Sequence, residues 1–164
     1  MVSATDHLRE RAWAAAAQVV DPEIPVLSIA DLGVLREVRV AGDTVEVVIT
    51  PTYSGCPAMR VIEFEIAAAL GAAGIEKHRI TTVLAPAWTT DWLSAEGRRK
   101  LAAYGIAPPA GKASRGALFA VDAVACPHCG SAQTERIAAF GSTSCKALYR
   151  CRDCAEPFDY FKCH

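Results

Sequence analysis

Near the start of the chain, apolar residues recur every three to four positions, at Leu8, Ala12, Ala15 and Val19. This spacing predicts a helix from about Thr5 to Val20, stopped by the Asp21-Pro22 pair. A loop rich in turn residues, DPEIPVLSIADLG, comes next. The period then changes to two: VLREVRV and TVEVVIT alternate on either side of AGD, which predicts a β-hairpin with a short loop. Helical spacing returns from about Pro57 to Ala72, with Met59, Ile62, Ile66 and Leu70 on one stripe and GAAG as the stop. RITTVLAP predicts a third strand closed by Pro86, and Ser94 caps a predicted third helix that carries Leu101 and Tyr104 and ends at Gly105. The order helix, strand, strand, helix, strand defines a small α+β layer.

Periodicity is lost in IAPPAGKASRGALFA, a mixture of Pro, Gly, Ala and Ser that reads as a linker. The expected organisation is therefore a first domain over residues 1–105, a linker over 106–120 and a second domain over 121–164. In the second domain, TERIAAF, KALYR and EPFDYF predict three short strands.

Composition narrows the function classes. The chain has 164 residues, is 52% apolar and 21% charged, and has a formal net charge of -1. Neither domain carries the basic excess that drives binding to phosphate backbones, so nucleic acid is not an expected partner. No apolar run reaches the roughly 18 residues needed to span a bilayer. The first residues do not resemble a secretory signal, and the expected location is the cytoplasm.

In that compartment, seven cysteines point to metal or thiol chemistry rather than a disulfide framework. CPHC at Cys126 and Cys129 and CRDC at Cys151 and Cys154 form two C-x2-C pairs. A tight turn aims both sulfurs of a pair at one point, and two such turns complete a tetrahedron. This is the outline of a zinc ribbon with structural zinc, although sulfur ligands alone do not separate zinc from rubredoxin-like iron. His128 lies inside a knuckle and is expected to face solvent. Cys145, Cys163 and His164 are surplus to the four-ligand count and are read either as packing residues or as part of a second, labile site.

Cys56 stands alone, at the joint between the hairpin and the second helix. With Pro57 as the first helical residue, Cys56 is expected at the N-cap, where unpaired N–H groups and the helix dipole favour a thiolate. Gly55 permits an unusual turn and the close approach of a partner. A packed small residue is the competing reading. A hydrolytic nucleophile also needs a base, and His78, the nearest histidine in sequence, has no supporting motif. No catalytic residues are assigned. A lone thiolate makes most sense as a ligand to something transferred between chains, and a homodimer with one thiolate from each protomer fits that logic.

Trp88 and Trp92 flank a polar TTD. Buried, they are core; exposed, they would anchor a partner. The expectation is core, as it is for Trp13 on its alanine-rich helix.

DPEIPVLSIADLG followed by TPTYSGCPA resembles the SufT-type iron–sulfur assembly domain, through Asp21, Pro22, Glu23, Asp31, Leu32, Gly33, Thr52, Cys56 and Pro57. CPHCGS, FGSTSCKALYRCRDCAEPFDYFK, PAWTTDW and YGIAPP are similar to the PaaD (PaaJ) family of phenylacetate-degradation proteins, encoded with the phenylacetyl-CoA ring epoxidase. The resemblance covers nearly the whole chain. It implies a maturation factor and not an enzyme, with partners among the epoxidase components, especially the iron–sulfur reductase, and among other iron–sulfur assembly proteins. It further implies that Cys56 binds or relays iron or a transient cluster, that Asp21, Glu23, Asp31 and Thr52 support its loop, and that Cys126, Cys129, Cys151 and Cys154 hold zinc. Two other classes compete: a structural or docking component of the oxygenase in which Cys56 is packing, and a nucleic-acid-binding ribbon protein.

Overall fold

A computed structural model describes residues 3–111 and 123–162, and the chain divides into two compact units, Met1–Trp88 and Thr89–His164.

The first unit begins with α1 (Ala4–Ala16), which starts from a capping box. Ser3 Oγ accepts the Asp6 N–H at 3.1 Å, and the Asp6 carboxylate accepts the Ser3 N–H at 3.3 Å. The helix ends before the predicted Val20. Gln18 and Val19 tighten into bonds to residues three back, and Val20 is drawn into an isolated antiparallel bridge with Ser28. The loop that follows is packed, not loose: Ile24, Leu27, Ile29, Leu32 and Val34 are all buried.

The predicted hairpin forms as β1 (Leu35–Ala41) and β2 (Thr44–Ile49), joined by a two-residue turn with Gly42 at φ 64°. A bulge lies between Leu35 and Glu37. From β2 the chain passes through α2 (Ala58–Ala72) to β3 (His78–Thr82), which pairs parallel with β2, giving the sheet order β1-β2-β3. A parallel pair needs a crossover of this length, and α2 supplies it. Its buried stripe is Ala58, Ile62, Ile66 and Leu70, each large aliphatic contributing about 1.5–3 kcal/mol by leaving water. Met59, expected on that stripe, is only half-buried, and Ala58 takes its place.

Trp88 is core as expected, with its indole N–H donating to Leu32 O at 2.8 Å. Trp13 is not: it is 40% exposed, because α1 buries its small residues Ala12 and Ala16 and turns the neighbouring indole outward. Trp92 is half-buried.

The second unit contains α3 (Ala95–Tyr104), capped by Ser94 Oγ on the Gly97 N–H at 2.8 Å and closed by Gly105 at φ 88°. Leu101 is buried, whereas Tyr104 is exposed. Directly after it, β4 (Ile106–Ala107) pairs parallel with β7 (Pro157–Phe161), extending a sheet of order β4-β7-β6-β5 with β5 (Thr134–Ala138) and β6 (Lys146–Cys151). Arg98 ties α3 to the same unit, donating to Pro109 O at 3.0 Å and Thr90 O at 3.1 Å. The division between units thus falls before α3, not after Gly105, and Ile106 and Ala107 are strand rather than linker. The remainder of the predicted linker, from residue 112, lies outside the described residues. The ribbon core is Ala107, Val124, Cys126, Ala147, Tyr149, Cys151, Phe158 and Tyr160, with Tyr149 stacked on Phe158 at 5.9 Å and edge-on to Tyr160 at 5.4 Å.

Candidate metal centre and the Cys56 turn

Each cysteine pair in the second unit sits on a turn whose next residue has a left-handed backbone: Gly130 at φ 76° after Cys129, and Ala155 at φ 62° after Cys154. Cys126 N–H bonds Ser131 O at 2.9 Å, and Cys151 N–H bonds Glu156 O at 3.0 Å, closing both turns alike. The reversals bring the sulfurs of Cys126, Cys129, Cys151 and Cys154 within 4.8 Å of one another. Cys126 and Cys154 are 3.8 Å apart, and Cys129 and Cys151 are 3.6 Å apart. A tetrahedral site with Zn–S bonds of about 2.3 Å has edges of about 3.8 Å, so the donor set fits zinc in both chemistry and size.

Backbone donors prepare the sulfurs for a cation. The N–H of Cys154, then that of Asp153, bonds Cys151 Sγ and pulls its pKa down to about 7. Cys154 goes the other way, to about 12: the Glu156 N–H lowers it, but burial and the three neighbouring sulfurs together raise it more. Four thiols this close do not all ionise unless a metal ion balances them. The Ser131 hydroxyl donates to the Asp153 carboxylate and links the two knuckles. His128 is exposed and turns its ring edge to Phe158, as the solvent-facing reading expects. Cys145 is buried, 3.0 Å from Thr143 Oγ1, and is not one of the four converging sulfurs. Cys163 and His164 lie outside the described residues.

The Cys56 turn is built differently. Cys56 N–H bonds Tyr53 O at 3.2 Å, closing a four-residue turn with Gly55 at φ 82° in its third position. A methyl group at Gly55 would meet nothing within 4 Å, so the backbone angle, not close approach, requires glycine. The helix cap is Pro57, one residue later than expected, which places Cys56 just outside the helix. The Ala58 N–H and the hydroxyls of Tyr53 and Thr52 lie near enough to its sulfur to pull the thiol pKa down. Even so, the thiol pKa is raised, first by burial and also by the charge of Glu23. The expected stabilised thiolate is therefore corrected: desolvation outweighs the helix N–H.

The supporting acids separate into two kinds. Asp21 and Asp31 are buried and spend their oxygens on the loop backbone. Asp21 Oδ1 accepts the Glu23 and Ile24 N–H groups at 2.8 and 2.9 Å, and Asp31 Oδ2 accepts the Ser28 N–H at 3.1 Å while Ser28 Oγ takes the Asp31 N–H at 3.0 Å. Glu23 and Thr52, by contrast, act on the sulfur itself. Sequence reasoning missed Tyr53, whose place three residues before the cysteine in a tight turn was the available signal. His78 opens β3 opposite Val45, at the far end of β2 from the Cys56 turn, and its Nδ1 lies 2.8 Å from Ile75 O. No base serves the thiol from there. On α2, Val61 and Phe64 are both exposed, Phe64 at 70%, and Val61 lines a groove of about 520 Å³ with Val20, Pro22, Ala68 and Ala72 among others.

These features define a two-part protein: an α+β domain of the iron–sulfur assembly class followed by a zinc ribbon. Residues 9–84 match the family model described as iron-sulfur cluster assembly protein, and residues 110–162 match the PaaD zinc beta ribbon domain. The chain belongs to the PaaD family: it is 49% identical over 151 residues to an Escherichia coli (strain K12) protein provisionally named as one of the subunits of 1,2-phenylacetyl-CoA epoxidase, covering 92% of this chain and 90% of the relative. A crystal structure of a domain of unknown function (DUF59) from Bacillus anthracis shares the fold, with a TM-score of 0.55 and 21% identity over 59% of this chain and 93% of that one. Among the described residues, no helix is long and apolar enough to cross a membrane.

Proposed function

We propose that this protein is an accessory maturation factor of the phenylacetyl-CoA epoxidase system, and that it assembles or targets an iron–sulfur cluster for a component of that system, the ferredoxin-type reductase. The observation that carries this reading is the solitary Cys56 sulfur, with the Ala58 N–H, the Tyr53 and Thr52 hydroxyls and the charge of Glu23 acting on it and His78 at the far end of β2. The thiol–histidine pair of an activated cysteine nucleophile is not formed with His78. The site has what an open ligand position needs: one sulfur donor and an adjacent carboxylate, with the rest of the coordination sphere left to a cluster or a client. The two family matches and the likeness to an epoxidase component support the same assignment.

In this scheme the ribbon holds zinc through Cys126, Cys129, Cys151 and Cys154 and serves as a stable module, while Cys56 carries iron or a cluster only in passing. Burial first, and the charge of Glu23 as well, raise the thiol pKa and favour the protonated form in the idle site; iron arriving there displaces the proton. The test is a strain whose only copy carries Cys56→Ser. The expected result is a reductase component that accumulates normally but lacks iron and sulfide, with phenylacetyl-CoA ring oxidation lost. A fully loaded reductase and normal ring oxidation in that strain would overturn the proposal and leave a docking component as the better description.

A further inference from the structure

β1 forms one edge of the first unit's sheet; β2 covers one of its sides, and on the other no described strand pairs with it, while the loop before it closes only its first residue, through the Leu35 N–H to Ile29 O at 3.0 Å. The direction of its peptide groups follows from the ladder. Val45, paired with Val40, sends its N–H to Lys77 O on the β3 side at 2.9 Å, so this pair exchanges no hydrogen bonds between β1 and β2. Val40 thus turns its N–H and C=O to the open edge, and the alternation of the strand gives Val38 the same direction.

Charged side chains, lysine above all, and bulges commonly protect an edge strand, and β1 is bulged between Leu35 and Glu37. It carries opposite charges two residues apart: Glu37 and Arg39 are both exposed and paired at 2.7 Å. We propose that β1 is the two-fold interface of a homodimer, pairing antiparallel with β1 of a second copy about Val38. In that register Val38 faces Val38 and exchanges two hydrogen bonds with it, and Glu37 of each copy stands opposite Arg39 of the other. The neighbouring registers are worse. Centring on Glu37 or Arg39 sets like charges opposite each other, and centring on Val40 sets Glu37 against Asp43.

The same register places Val40 of the second copy opposite Arg36, at the mouth of a groove of about 540 Å³ lined by Arg9, Glu10, Trp13, Arg36, Glu37 and Val38. The outward Trp13 indole then has an apolar neighbour. Leu35, next to the strand end that leads into the Cys56 turn, has its open side taken by Ile29 O and stays outside the paired stretch, and the two Leu35 residues lie about 20 Å apart along the strands. The two Cys56 turns are at opposite ends of the joined sheet. This dimer has two separate thiol sites, not one shared between protomers, and it stands independently of the maturation role.

Sedimentation equilibrium of the full chain tests the proposal. The wild type should be dimeric, and Glu37→Arg or Arg39→Glu should each weaken association by at least about tenfold, since either change sets like charges opposite in both symmetric pairs. An equimolar mixture of the two variants should restore association as a heterodimer, as should the double swap in one chain. Amide exchange in the wild type adds a readout without substitution: the Val38 and Val40 N–H groups should become protected as concentration rises. A wild type that stays monomeric, a dimer indifferent to both reversals, or Val38 and Val40 amides that exchange rapidly at every concentration would overturn it.

Discussion

The two sulfur sites of this protein solve opposite problems. The ribbon brings four cysteines together within 4.8 Å from two similar turns, so the chain supplies a complete coordination sphere. The Cys56 turn offers one sulfur, whose pKa is raised by burial and by the charge of Glu23 against the pull of the Ala58 N–H and the Tyr53 and Thr52 hydroxyls. A closed set of ligands holds a metal as structure; a single ligand can hold one only with help from elsewhere. The architecture follows the same division, because the first unit has an aliphatic core under α2, whereas much of the second unit's core is the metal site and the aromatic residues around it.

Breaking the ribbon should have the largest effect. Cys151→Ser removes a ligand from a site of the kind that contributes about 10–16 kcal/mol to folding, so elemental analysis should show zinc lost and circular dichroism should show the second unit's strands melted. Chelation of the wild type should do the same while the first unit's thermal transition persists. Packing, not metal, holds that first unit, so Ile66→Ala should lower its stability by about 2–5 kcal/mol in denaturant titrations without altering zinc content. Asp21→Ala should have a smaller effect, about 0.5–2 kcal/mol, since two backbone N–H groups lose their acceptor, and Asp21→Asn should recover most of it.

The subtlest test concerns pH. A raised thiol pKa leaves less thiolate at any given pH, so alkylation of Cys56 in the apo protein should be slower at neutral pH than that of an ordinary exposed thiol. Glu23→Gln removes one of the raising influences. The alkylation pH profile should then shift to lower pH, by less than burial alone contributes, and an unchanged profile would remove Glu23 from the site.

The legibility of these features in the sequence depends on how local their physics is. Strong periodicity makes the hairpin, α2 and the ribbon strands readable, and the two C-x2-C turns encode the metal site almost by themselves. What escapes is tertiary. The pairing of Ile106 and Ala107 with a strand about fifty residues later cannot be seen in a stretch that looks like a linker, which is why the expected unit boundary falls too late. Trp13 departs from its expected place because the α1 face is decided by which side accepts alanine against the sheet, not by the size of the residue. At Cys56 the neighbours in sequence suggest a thiolate; the shift is reversed by burial and by the charge of Glu23, a residue far from it in sequence.

The most direct measurement of the central claim is the iron, sulfide and zinc content per chain after purification without oxygen, for the wild type and for Cys56→Ser. Zinc should be near one per chain in both proteins, with labile iron and sulfide present in the wild type and absent from the variant. Zinc alone in both proteins, or iron and sulfide unchanged by the substitution, would contradict a cluster-handling role for Cys56.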